Sequence, residues 1–238
     1  MNWLINSWYQ THPLRWLLWP LSVLYRLVIA LRRSLYQLGL FKQYSVNAPV
    51  IIVGNISVGG TGKTPFVIWL AKQLKNAGFR PGIISRGYGG KAEHYPQIVT
   101  PESDPRIVGD EPLIISRQSA CPMAVAPKRI AAAKQLLEQF DCNIIIADDG
   151  LQHYALARDI QIVIVDSKRL FGNQHCLPAG PLREPLSRLE QVDFIVHNGS
   201  ETEAEFTMTT SQGLAINLAD ANIKKEVSDF QNQTVHSV

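Results

Sequence analysis

The chain has 238 residues, 46% of them hydrophobic and 18% charged, which suits one large domain or a domain with an appendage and excludes a disordered segment. Its 16 glycines and 14 prolines exclude collagen-like and low-complexity classes, and three scattered cysteines, Cys121, Cys142 and Cys176, favour a reducing compartment over a disulfide framework or thiolate zinc site. A net charge of +3 hides an asymmetry: residues 1–92 carry eleven basic groups and no carboxylate, the rest 12 basic against 20 acidic, so the front of the molecule is expected to meet phosphate or acidic lipid.

Residues 1–40 stand apart in composition. Four of the five tryptophans, Trp3, Trp8, Trp16 and Trp19, fall in the first nineteen positions. Only ten uncharged residues separate Arg15 from Arg26, short of the roughly 20 needed to cross a bilayer. The small-residue cleavage site of a signal peptide is missing. At about 100° per residue, Arg15, Ser22, Arg26 and Arg33 share one narrow stripe, and leucines and Val28 occupy the rest of the circumference. Pro20 predicts a kink, or a break into two helices. This pattern predicts a helix lying in a membrane surface with tryptophans at the interface; an ordinary core helix is the alternative.

After Asn47 the pattern changes. Apolar runs at 50–53, 82–84, 123–126, 143–147, 160–165 and 193–196 predict buried strands, and 64–77 and 128–140 predict helices. The alternation implies an α/β fold with a mostly parallel sheet covered by helices. Domain boundaries are expected at 1–48 for the helical segment and 49–238 for the α/β domain. Residues 85–112, rich in Gly, Pro and polar side chains, are expected to form a mobile loop region near the site. Beyond Ser200 the pattern weakens, with a strand suggested at 214–218.

The strongest chemical signal is VIIVGNISVGGTGKTPFVIWLAKQL: a strand, a glycine-rich turn, then a helix. Such a turn presents backbone N–H groups and a helix N-terminus to polyphosphate. Gly59, Gly60 and Gly62 allow close approach, Lys63 would reach the β- and γ-phosphates, and Thr64 would ligate Mg²⁺. Ser57 replaces the first glycine of the usual G-x-x-x-x-G-K-[ST] spacing; Val58 and Thr61 complete the loop. The second signal is NIIIADDGLQH, where a strand would deliver Asp148 and Asp149 beside the loop to hold Mg²⁺. In the third, VGDEP, Asp110 fits equally a helix cap or a general base for an acceptor hydroxyl. SRGYGG places Arg86 and Tyr88 in a loop that could clamp phosphate or sugar. LPAGPLREPLSRL places Arg183, Glu184 and Arg188 in a proline-shaped turn entering a helix; a connector with solvated charges is the plainer reading of both.

Together GNISVGGTGKTP, SRGYGG, VGDEP, DDGLQH and GNQHCLPAGPLREPLSRL resemble the tetraacyldisaccharide 4'-kinase family, the lipid A 4'-kinases of Gram-negative bacteria. The resemblance implies a P-loop NTPase-like fold that transfers the γ-phosphate of ATP, with Mg²⁺, to the 4'-hydroxyl of an acylated glucosamine disaccharide 1-phosphate, giving lipid IVA. It implies attachment through the N-terminal helix to the anionic cytoplasmic face of the inner membrane, peripheral or monotopic, and no nucleic-acid partner. By motif, residues 57–64 would form the ATP loop, Lys63 and Thr64 the phosphate and metal contacts, and Asp148 and Asp149 the paired acidic motif. Asp110 would be the base, while Arg183, Glu184, Arg86 and Tyr88 would line the substrate side. Family members continue past Val238 into a segment with a histidine motif, so the lobe that closes over the substrate is expected to be largely absent. The competing readings are an ATP-driven switch, whose loop carries a lysine where Val58 stands, and a nucleotide-binding fragment without catalysis.

Overall fold

Strands built of Val, Ile and Ala without internal charge can be buried on both faces, and in the computed structural model of this chain they are. Residues 7–9, 13–199, 204–210, 215–216, 224–226 and 229 are described; Trp3 lies outside them. In chain order the elements of the main sheet and its covering helices begin with α1 (Leu14–Gln37), β1 (Val50–Gly54), α2 (Lys63–Asn76), β2 (Pro81–Ser85) and β3 (Gln97–Val99). They continue with α3 (Pro105–Val108), α4 (Asp110–Ser119), β4 (Met123–Val125), α5 (Arg129–Gln139), β5 (Ile144–Asp148), β6 (Ile160–Asp166), a 3₁₀ helix at Leu186–Gln191, β7 (Phe194–Asn198) and β8 (Phe206–Met208).

The eight strands run in the order β3-β4-β2-β5-β1-β6-β7-β8, all parallel to their neighbours except β3, which is antiparallel to β4. Strand periodicity splits β1 between two apolar layers. Ile51 and Val53 join Phe66, Val67 and Ala71 of α2 on one face; Val50 and Ile52 join Ala132, Ala133 and Leu136 of α5 on the other. Because the central strands are parallel, their C-terminal ends lie along one edge of the sheet, the edge where α/β folds bind ligands. The six expected strands and both expected helices are present. A second compact unit, residues 209–238, contains β9 (Ala215–Ile216) paired antiparallel with β10 (Lys224–Lys225), and within the strand expected at 214–218 only 215–216 are described.

Three expectations change. Within the loop region expected at 85–112, residues 97–99 form β3, 105–108 form α3 and 110–112 open α4. Asp104 caps α3, accepting from Arg106 N at 2.8 Å with Pro105 following it, and Asp110 and Glu111 sit in the first turn of α4, where the helix dipole favours negative charge. Helix α1 runs continuously through Pro20, near its start and on an exposed face, where water can satisfy the carbonyl that proline leaves free. The stripe from Arg15 to Arg33 turns into the protein at Ser22, with Arg26 still exposed. Ser22, in its middle, is buried, donating to Cys176 O at 2.7 Å and accepting from Ala179 N at 2.9 Å. Trp8, grouped by sequence with interfacial tryptophans, is only 7% exposed and donates Nε1–H to Pro178 O at 3.0 Å. The apolar face points outward, with Leu17 75% exposed and Leu24, Leu27 and Leu31 open beside it. Among the described residues no helix is long and apolar enough to cross a membrane.

Candidate active site

Strand β1 ends at Gly54 and the glycine-rich turn carries the chain into α2, whose N-cap is Gly62 at φ 92°. Gly59, at φ 107°, also needs the left-handed region that glycine adopts freely. Ser57 does not: it is extended, bridging antiparallel to Leu182, and Val58 N donates to Pro181 O at 2.8 Å. A residue with a side chain fits there, which accounts for the departure from the usual loop spacing. Thr64 lies half-buried in the first turn of α2.

At the end of β5, the neighbour of β1, the two aspartates occupy different environments. Asp148 is 1% exposed; its Oδ2 accepts from Ser85 Oγ at 3.3 Å and its Oδ1 has no partner. Burial pushes its carboxyl up to about 6, with Asp149 and Glu111 reinforcing the shift and Lys63 opposing it. Asp149 stands at φ 48°, which aims its carboxylate at Lys63 Nζ (3.5 Å) and Arg183 Nη1 (3.1 Å). Burial resists ionisation of Asp149, but those two cations outweigh it and hold the carboxyl below its ordinary value. Arg129, 5% exposed, fixes the turn by donating Nη2 to Asp148 O at 3.0 Å and Asp149 O at 2.8 Å. Composition missed this residue, although a cation in the first turn of a helix, against the dipole, was a legible anomaly.

Between this site and α1 opens a cavity of about 610 Å³. Tyr25, Ile29 and Arg32 of α1 form one wall, and Arg86, Arg129 and Arg183 face Asp149 on the other. Its floor is held by Glu184, buried, which accepts from Tyr154 Oη at 2.6 Å and Gln152 Nε2 at 2.9 Å and pairs with Arg188 Nε at 3.3 Å. Glu184 therefore lines the cavity with both oxygens engaged. Arg32 lies over the Tyr154 ring at 5.4 Å, tying α1 to that floor. His153, also on the wall, is pushed down to about 4 by burial and by Arg129, Arg158, Arg32 and Arg86, so its imidazole is neutral at physiological pH.

Asp110 opens α4 on the exposed side and caps nothing; the N-cap is Gly109, with no side-chain capping bond. The turn before it packs against the SRGYGG loop, since a Cβ on Gly109 would lie 2.5 Å from Tyr88 O. Arg86 is thereby brought into the cavity, whereas the Tyr88 side chain is 85% exposed. No hydrogen bond or ion pair among the described residues joins Asp110 to Lys63 or Asp149.

A sequence model described as tetraacyldisaccharide-1-P 4'-kinase matches residues 14–237. The chain is 50% identical to a tetraacyldisaccharide 4'-kinase of Nitrosococcus oceani over 99% of its own length and 69% of the relative's. It is 56% identical to the Coxiella burnetii protein of that name over 79% of its length and 58% of the relative's, and 55% identical to that of Psychromonas ingrahamii over 84% and 63%. The chain thus spans between 58% and 69% of the length of these curated relatives. Among solved structures it is similar to the "apo" form of LpxK from Aquifex aeolicus in complex with ATP, at TM-score 0.75 and 32% identity, covering 93% of this chain and 72% of that one.

Proposed function

The chain belongs to the tetraacyldisaccharide-1-P 4'-kinase family, and on that premise we propose that it transfers the γ-phosphate of ATP to the 4'-hydroxyl of an acylated glucosamine disaccharide 1-phosphate at the cytoplasmic face of the inner membrane. The observation that carries this reading is the junction at Asp149. One carboxylate touches the lysine of the phosphate loop and an arginine of a cationic cavity, and the far wall of that cavity is the helix with an exposed apolar face. An acceptor that is anionic at the headgroup and greasy at the tail matches a cationic cavity beside an outward apolar helix face.

Lys63 would contact the β- and γ-phosphates, with the loop N–H groups around it. Mg²⁺ fits the residues present: Asp148 has a buried oxygen without a partner and a carboxyl whose raised value a cation would bring back down, and Thr64 stands at the usual hydroxyl position. When bound, the ion supplies electrostatic stabilisation of charge on the transferring group. No group of three or more His, Cys, Asp or Glu forms a dedicated metal cage among the described residues, as expected for an ion that takes most of its ligands from phosphate and water. Asp110, on the exposed side of α4, would accept the hydroxyl proton. Arg32, Arg86 and Arg183 would hold the acceptor's anionic group, and α1 would rest its leucine face on the lipid surface.

The test is transfer of labelled γ-phosphate to the disaccharide 1-phosphate in mixed micelles. The reading expects label in the lipid in excess of label in inorganic phosphate. Hydrolysis without lipid label would support an ATPase instead.

A further inference from the structure

A phosphate cradle works only if the loop's N–H groups face inward, and in a trans peptide that is decided by where the preceding carbonyl points. Four carbonyls of this loop are held by three side chains from outside it. Asn55 Nδ2 donates to Ser57 O at 2.7 Å and Gly59 O at 3.4 Å. The Arg169 guanidinium donates to Gly60 O. Asn198 Nδ2 donates to Thr61 O at 3.1 Å. Each bond turns the next N–H away from its clamp, and the N–H groups of Gly60, Thr61 and Gly62 have no acceptor among the described residues.

Arg169 is the only charged member of the three. It stands just past the end of β6, and Asp166, the last residue of that strand, orients it with a division of labour between its oxygens. Oδ1 accepts from Lys168 N at 3.0 Å and Arg169 N at 2.9 Å, which shapes the turn; Oδ2 accepts from Arg169 Nε at 3.0 Å and Nη2 at 2.8 Å, which aims the guanidinium. The loop leaves space for it: a Cβ on Gly59 would lie 2.7 Å from Arg169 Nη1. A guanidinium on a backbone carbonyl is a charge-assisted bond, stronger than either asparagine contact.

Resting on the nucleotide reading above, we propose that Arg169, aimed by Asp166, is a positioning residue that fixes the Gly60–Thr61 peptide with its N–H presented to the β-phosphate. It acts through the loop and not by touching nucleotide.

Asp166→Asn separates the two routes. The asparagine oxygen keeps the turn's acceptor, while its NH₂ faces the guanidinium and cannot hold it. Calorimetry on the full chain with ADP and with AMP, beside thermal unfolding without nucleotide, tests the proposal. Arg169→Ala and Asp166→Asn should each weaken ADP binding about tenfold and leave AMP, which lacks the β-phosphate, within about twofold, with melting unchanged. Arg169→Lys should recover part of the loss. Wild-type ADP affinity in Arg169→Ala overturns the proposal, as does equal loss for AMP. A defect in Arg169→Ala that Asp166→Asn does not share also overturns it, because the guanidinium would then act on nucleotide directly. If the unaltered chain binds neither nucleotide, the reading of the loop itself fails, and the proposal with it.

Discussion

Asp148 and Asp149 are adjacent in sequence and opposite in behaviour. One is buried with a free oxygen and a carboxyl pushed up to about 6, the other held ionised by Lys63 and Arg183. Since the folded value of Asp148 lies above its ordinary 3.8, its contribution favours folding below that pH and is lost as pH rises through about 6. Asp148→Asn should therefore stabilise the nucleotide-free chain at about pH 8, by up to about 3 kcal/mol, and change little at about pH 4. Thermal unfolding at the two pH values measures this; a variant no more stable than wild type at the higher pH contradicts it. Lys63→Ala should weaken ATP more than AMP, by roughly 1.5–3 kcal/mol, because its contact is with the outer phosphates. Equal losses by calorimetry would remove that role. At this scale the sequence announced the residues that carry motifs and was silent on those that support them. Asn55, Arg169 and Asn198 are single polar residues at or just past strand ends, and only the order β1-β6-β7 brings them to one loop, while Arg129 reaches the turn after β5 from the first turn of α5.

The elements that were legible are those buried on both sides. Strands β1, β2, β5 and β6 are nearly continuous apolar runs, and α2 and α5 have clear apolar faces. Strands β3 and β8 are three residues long and half-exposed at the sheet's two edges, too short for a periodic signal. Helix α1 was legible as amphipathic, but nothing in the stripe marked Ser22 as the residue that bonds the Cys176–Ala179 turn. Ser22→Ala leaves the buried Ala179 N–H without a partner, while Cys176 O keeps its bond from Gly180 N, and should cost about 1–3 kcal/mol in thermal unfolding; no loss would mean that α1 does not dock through this seam. Replacing exposed Leu24, Leu27 and Leu31 with serine should leave the fold intact and lower partitioning to anionic vesicles by on the order of 10²-fold. Unchanged co-sedimentation would contradict a lipid-facing role for those leucines.

Across the whole first unit, the charge asymmetry of the sequence becomes a spatial arrangement. Arg32 and Arg86 come from the carboxylate-free front and Arg129 and Arg183 from the later half, yet all four line one cavity that ends at Asp149. That cavity and the phosphate loop meet at a single carboxylate, Asp149, and in the proposed reaction they are two halves of one site. Single-turnover phosphate transfer by Asp149→Asn, with nucleotide and acceptor affinities measured alongside, tests this most directly. Removing the negative charge relieves repulsion toward both anionic ligands, so ATP and the disaccharide 1-phosphate should bind within about tenfold of wild type while transfer falls by about 10²-fold or more. Transfer at the wild-type rate, or a rate loss explained wholly by weaker binding of one ligand, would contradict the claim that the two halves work as one.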